Sequence, residues 1–243
     1  AQTGVARTLH GIAAASDSVA VAVGLQGAIM RTVDCGLTWT DLSIATDSTF
    51  TAVDFADDSV GMLVGDNGLA RRTDDGGLTW TPVGTGVETW LKDVACLDAD
   101  HAVAVGTGMT ILRTDDGGAT WTDHGTPSPY DYGQGIFFLD DLHGWICTFY
   151  GDVLATDDGG LTWTEQLNSY LDLHDIHFSD ALHGITVGGV DGNATLLTVD
   201  GGETWIEQPN PEYAYLSGVV FSDPLKGIAV GQGIFRTDDG AAT

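Results

Sequence analysis

Arg72-Thr-Asp-Asp-Gly-Gly-Leu-Thr-Trp80 carries the pattern on which the fold turns. Its frame, Thr-x-Asp-x-Gly-x-Thr-Trp, begins at Thr32, Thr73, Thr114, Thr156 and Thr198, and a shortened copy begins at Thr237. The tryptophans Trp39, Trp80, Trp121, Trp163 and Trp205 follow one another at steps of 41, 41, 42 and 42 residues. A fixed period of that length marks one supersecondary unit used again and again.

Around the frame the unit reads as four short strands. Phe50–Phe55, Gly61–Gly65 and Leu69–Thr73 are rich in β-branched and apolar residues, and a fourth run begins at Trp80-Thr-Pro-Val83. Gly, Asp and Asn fill the gaps at Asp57–Gly61 and Asp66–Gly68, which are turn signals. No apolar period of 3.6 residues survives, so almost no helix is expected. Four antiparallel strands repeated every ~40–45 residues describe a propeller blade. The expected fold is therefore all-β: a six-bladed β-propeller of four-stranded antiparallel blades, with the box turn between the third and fourth strands. The 243 residues fall three short of six periods of 41, and the two ends share nearly one phase of the repeat. That phase predicts a single domain over 1–243, with the ring closed by the N-terminal segment as the outer strand of the last blade.

The box frame is similar to the Asp-box (BNR) repeat of sialidases, sortilin-type receptor propellers and xyloglucan-degrading propellers. A longer likeness covers the whole unit. Phe55-x-Asp57-x-x-x-Gly61-x-x-Val64-Gly65-x-x-Gly68, followed by Arg72 to Trp80, resembles the photosystem II assembly and stability factor family. Phe178-Ser-Asp180-x-x-His-Gly184 and Phe221-Ser-Asp223-x-x-Lys-Gly227 repeat the front half. The resemblance implies a scaffold that holds a partner protein. It also implies a basic surface patch, from which this chain departs with 8 Lys and Arg in all.

Against those 8 stand 35 acidic side chains, 30 of them Asp, for a formal charge of −27. Asp favours turns, where its carboxylate caps nearby N–H groups, so much of the acidity is turn chemistry. The remainder argues against nucleic acid and anionic membrane partners and suits a salty or extracellular setting. An extracytoplasmic location, secreted or periplasmic, is the expectation. No apolar run approaches the ~20 residues of a membrane-spanning helix, so no membrane insertion is expected. Ala1-Gln2-Thr3 does not read as the start of a signal peptide. Cys35, Cys96 and Cys147 lack zinc spacing, and Cys96 reads as a small core residue.

The box aspartates Asp34, Asp75, Asp116, Asp158, Asp200 and Asp239 can accept hydrogen bonds from their own turns, and the Gly two residues on permits positive φ. The Trp is expected to pack between blades with its N–H on a carbonyl. These are read as structural corners. Paired carboxylates such as Asp74-Asp75 leave room for a structural calcium, but no repeat spaces six to eight oxygens as a known loop does, so no cofactor is expected and the metal content is left open. Arg31, Arg72, Arg113 and Arg236 precede the box and are expected to pair with box carboxylates. A sialidase-like glycoside hydrolase would need three arginines converging on a substrate carboxylate. The catalytic set is accordingly read as none.

Recognition is assigned to the end of the blades away from the box. The connections between repeats hold Trp90, Tyr130, Tyr132, Tyr170, Tyr213 and Tyr215, with Glu88, Asp131, Asp172 and Glu212 beside them. The second–third loops add Asp66, Asn67, Phe149, Tyr150, Asp152 and Asp191. Aromatic rings beside carboxylates suit a protein or glycan partner. First-strand residues His10, Thr51, Lys92, Gln134, His174 and Ser217 share one position and read as a polar channel lining. His174 and His177 point to opposite faces, which disfavours a shared metal. The sequon Asn193-Ala-Thr195 is read as chance. The expected function is a non-catalytic, secreted binding scaffold. The rivals are a building block of an extracellular assembly or filament, completed by strand exchange between subunits, and a glycosidase.

Overall fold

A computed structural model describes residues 7–125, 131–189, 194–208 and 215–240. They form six antiparallel sheets of the propeller-blade type in two compact units, Ala1–Pro129 and Tyr130–Thr243, with three sheets in each. Blade 1 comprises β1 (Leu9–Ala14), β2 (Ala20–Gly24), β3 (Ile29–Thr32) and β4 (Thr40–Asp41). Blade 2 comprises β5 (Phe50–Phe55), β6 (Gly61–Gly65), β7 (Leu69–Thr73) and β8 (Thr81–Gly84), within a residue of the strands read from sequence. Blade 3 comprises β9 (Leu91–Cys96), β10 (Ala102–Gly106), β11 (Ile111–Thr114) and β12 (Thr122–Asp123). In the second unit, blade 4 has β13 (Gly133–Phe138), β14 (Gly144–Thr148), β15 (Asp152–Thr156) and β16 (Thr164–Asn168). Blade 5 has β17 (Leu173–Phe178), β18 (Gly184–Gly188), β19 (Ala194–Thr198) and β20 (Ile206–Glu207). Blade 6 shows β21 (Leu216–Asp223), β22 (Lys226–Gly231) and β23 (Ile234–Thr237).

Helix among the described residues is confined to two 3-10 turns, Leu25–Gly27 and Asp66–Gly68. The segment expected to supply the last blade's outer strand, residues 1–6, lies outside the described residues. So do Tyr130, Tyr213, Glu212, Asp191 and Asn193.

The second strands of blades 2 to 5 are buried on both faces: Gly61–Gly65, Ala102–Gly106, Gly144–Thr148 and Gly184–Gly188 are buried throughout. Cores form where one blade faces the next. Val21, Val23 and Ile29 of blade 1 meet Phe50, Leu63 and Trp80 of blade 2. Trp145 of blade 4 stacks on Phe178 of blade 5 with centroids 3.6 Å apart and planes 12° off parallel. Trp205 then meets Phe178 edge-on at 5.9 Å. Burying each such ring stabilises the contact by about 1.5–3 kcal/mol.

The box closes on itself. In blade 2, Asp75 Oδ1 accepts the Thr79 N–H (2.9 Å) and the Thr73 hydroxyl (2.8 Å), and Oδ2 accepts the Thr79 hydroxyl (2.6 Å). The Thr73 oxygen in turn accepts the Gly77 N–H at 2.9 Å. The same set recurs at Asp34, Asp116, Asp158 and Asp200. At Asp239 the Thr237 half is present. These bonds hold Asp34, Asp158 and Asp200 down to a pKa of about 2. Gly77 sits at φ +81°, as the turn requires.

One expectation needs correction. Trp39 and Trp163 do donate to the box carbonyls of Gly36 and Gly160. Trp80, Trp121 and Trp205 instead have indole N–H groups with no acceptor among the described residues, because each ring edge is wedged against the preceding blade's core. The arginines do find carboxylates of the box, as expected, though not the box Asp itself. Arg72, Arg113 and Arg236 pair with Asp74, Asp115 and Asp238, one residue earlier. The box Asp is already filled by its own turn, whereas the preceding carboxylate points outward.

Candidate functional site

Two ends of each blade are defined by backbone bonds. At one end the residue before the box Gly donates to the first turn, as in Gly76 N–H to Ser59 O (2.8 Å) and Gly201 N–H to Leu182 O (2.9 Å). At the other, the second–third loop donates to the residue preceding the first strand. Thr107 N–H reaches Trp90 O (2.9 Å), Phe149 N–H reaches Tyr132 O (3.0 Å), and Gln232 N–H reaches Tyr215 O (3.0 Å). Trp90, Tyr132 and Tyr215 thus share one position of the repeat.

In the second unit this end carries a continuous run of rings. Tyr132 lies 6.2 Å from both Phe149 and Tyr150. Phe149 meets Tyr150 edge-on at 5.3 Å and His174 edge-on at 6.0 Å, and His174 lies 4.9 Å from Tyr215. The run crosses from blade 4 through blade 5 to blade 6. Tyr150 is 48% exposed and offers the run's free face. Tyr170, 86% exposed, sits at φ +59° in the connection after blade 4. Its neighbour Ser169 is bonded through backbone and hydroxyl to Gly151 O, which anchors that connection beside Tyr150.

Next in sequence to two of these rings stands an acidic pair, Asp131 before Tyr132 and Asp152 two residues after Tyr150. Asp131 is buried and accepts the Tyr132 N–H at 2.8 Å. Burial, a hydrogen bond with the Asp131 side chain and the charges of Asp131 and Glu165 push Asp152 up to about 7. Burial beside another carboxylate disfavours the charged form, so Asp152 keeps its proton up to near neutrality.

Of the residues selected from sequence, Tyr132 and Tyr215 are brought into one cluster, with Phe149, Tyr150, Asp131 and Asp152 around them. Tyr170 stands at its edge. Trp90 belongs to the first unit, where it is covered by the Lys92 ammonium 3.8 Å from its ring centroid. His174, expected as channel lining, is also a link in the ring run. The signal was absent from its own strand, since the contacts come from blades on either side. The shared first-strand position is chemically uneven: Thr51 binds the Val64 and Leu91 carbonyls, while Lys92 covers a ring.

No three His, Cys, Asp or Glu side chains among the described residues converge as a metal-binding group. Cys35 and Cys96 are not joined in a disulfide. The arginines a sialidase would aim at a substrate are bound to carboxylates and carbonyls of the framework.

Comparisons with known proteins give a family and a fold. The family model of the photosynthesis system II assembly factor YCF48 matches residues 2–86 and 80–165. A solved structure of YCF48 bound to D1 peptide is 18% identical, with 98% of this chain and 95% of that chain covered at a TM-score of 0.55. YCF48 from Cyanidioschyzon merolae is 16% identical over 100% and 98%, at 0.61. The GH74 enzyme of Niastella koreensis is 17% identical, with 95% of this chain but 45% of that enzyme covered, at 0.80. At such identities the solved structures speak for the fold alone. No curated protein sequence matches the chain.

The family match corrects the expected location. The chain falls with a factor of the photosynthetic system, so the extracytoplasmic assignment, secreted or periplasmic, does not hold. The acidity behind it is turn chemistry: Asp57, Asp98, Asp140, Asp180 and Asp223 each accept two N–H groups of their own first turn. A composition fixed by turns carries no address.

Proposed function

We propose a protein-receiving role for this chain, which belongs to the photosynthesis system II assembly factor YCF48 family. That family is one of assembly factors, not of hydrolases, and the chain is a non-catalytic protein-binding propeller of that kind. The finer reading is that the ring run of the second unit takes an extended segment of a partner protein.

One observation carries it. Tyr132, Phe149, Tyr150, His174 and Tyr215 form an unbroken aromatic surface across three blades, next to a carboxyl pair. Rings give large contact area at low entropic cost, and such anchors dominate protein interfaces. The chain's charge of −27 favours a segment with cationic residues.

Titration of the purified chain with a D1 peptide, the ligand of one solved YCF48 structure, tests this. Tyr150→Ala and Tyr215→Ala should each weaken binding about tenfold or more, the loss expected of an interface hot spot. Binding indifferent to both changes would remove the ring run from the interface. Binding of an oligosaccharide that depends on the same rings would replace the protein by a glycan.

A further inference from the structure

The repeat contains its own template for a second site, at the box end. In blade 2, Arg72 reaches out to blade 3. Its Nε donates to Asp74 Oδ1 (2.9 Å), and its Nη1 donates to the carbonyls of Ala99 (2.7 Å) and Gly117 (3.2 Å). In blade 1, Arg31 also crosses to the next blade, with Nε on Gly76 O at 2.7 Å, but without a carboxylate, since position 33 is Val. The guanidinium between blades 2 and 3 is thus bound by an outward carboxylate and two turn carbonyls.

Between blades 4 and 5 those acceptors are present and the arginine is not. Position 155, equivalent to Arg72, is Ala. Asp157 stands for Asp74, Ala181 for Ala99 and Gly201 for Gly117. These four residues line a groove of about 390 Å³, with Trp145 as an apolar wall. A Cβ built on Gly117 would meet Arg72 Nη1 at 2.5 Å, whereas one built on Gly201 meets the Ala181 oxygen. Gln166, which also lines the groove, donates weakly to Gly201 O at 3.4 Å and leaves its own Oε1 buried without a donor. Among the described residues Asp157 has no ion-pair partner. The Asp157 carboxylate and the Gln166 Oε1 are therefore open acceptors in the groove, which His143, Thr162 and Thr164 also line.

We propose that this groove receives an arginine side chain from a partner polypeptide. A guanidinium offers five donors in a planar fork, which matches a carboxylate, two carbonyls and the Gln166 oxygen better than a single ammonium would. The corresponding groove between blades 5 and 6 has Leu197 and Val199 in place of the arginine and the carboxylate, so it lacks the charge and is not part of the site. The site lies at the opposite end of the second unit's blades from the ring run, and does not depend on it.

Calorimetric titration with acetyl-Gly-Arg-Gly-amide, and with its lysine and citrulline counterparts, tests the assignment. The arginine peptide should bind saturably in the millimolar range or tighter, with the other two about tenfold weaker. Asp157→Asn should weaken it about tenfold. Ala155→Arg should abolish it and raise Tm by about 2–4 °C, because the chain then fills its own groove. Tyr150→Ala should leave it unchanged. Absence of saturation, equal binding of lysine or citrulline, binding retained in Ala155→Arg, or binding lost in Tyr150→Ala would each overturn the proposal. So would a fall in Tm on Ala155→Arg.

Discussion

The Asp175 carboxylate on β17 of blade 5 accepts the Val219 N–H of blade 6 at 2.7 Å, across the faces of neighbouring blades. Its other oxygen accepts the Ile176 N–H at 2.9 Å. Asp54 makes the corresponding bridge from blade 2 to the Cys96 N–H of blade 3, at 2.8 Å. Both carboxyls are buried, and burial outweighs those bonds, raising each to about 6.

A carboxyl whose pKa is raised on folding binds its proton more tightly in the native state than in the unfolded chain. Its contribution is therefore present at mildly acid pH and is lost as pH rises toward and through 6. Each of Asp54 and Asp175 should account for on the order of 3 kcal/mol of that loss. Asp152, raised to about 7, extends it toward neutrality. The box aspartates, held low, act oppositely and lose their contribution as pH falls below about 4. Thermal denaturation should give the highest Tm near pH 4–5 and a decline toward pH 8, and Asp175→Asn should flatten the decline. A Tm that rises between pH 5 and 8 would contradict this assignment.

Thr73→Val should destabilise the fold by about 1–3 kcal/mol. The substitution keeps the shape of a side chain that is 1% exposed but removes the oxygen that accepts the Gly77 N–H. Thr73→Ser retains the oxygen and should recover most of the loss. Urea denaturation of the three proteins makes the comparison; equal stability of the valine and serine variants would show that the hydroxyl does not matter.

Phe178→Ala should cost about 3–5 kcal/mol, the range for truncating a buried aromatic. The ring is sandwiched by Trp145 and Trp205 and also faces Phe137 at 6.5 Å. A loss under about 1 kcal/mol would mean that the two blades close over the cavity.

Cys35→Gly should stabilise the chain by about 0.5–1 kcal/mol, less the added freedom of glycine in the unfolded state. Cys35 sits at φ +57°, at the box position that holds glycine in the other five copies. Its N–H bond to Ser18 O at 3.1 Å is made by the backbone and survives the change. A lower midpoint in urea for the glycine variant would show that the thiol's contact with Asp17 O outweighs the strain.

Much of the blade was legible because its signals are local. Phe50–Phe55 and Leu69–Thr73 were bounded by glycine and aspartate turns, and the box Asp, Thr and Gly that bond one another lie within one short turn. The site was half legible. Tyr132 and Tyr215 stood out as aromatics in connections, but nothing in sequence announces that His174 joins them or that the Asp152 carboxyl is raised. Arg72 was read as a partner of box carboxylates, and it does bind Asp74, yet it also reaches Gly117 on the next blade.

The order of residues alone determined the period, the four strands of the unit and the hydrogen-bonded corner, since each depends on groups a few positions apart. The apposition of one blade on another decided the rest: the raised carboxyls of Asp54 and Asp175, the ring run, and the groove that Ala155 leaves open. Desolvation and contact between distant segments set those properties, and neither exists until neighbouring sheets pack.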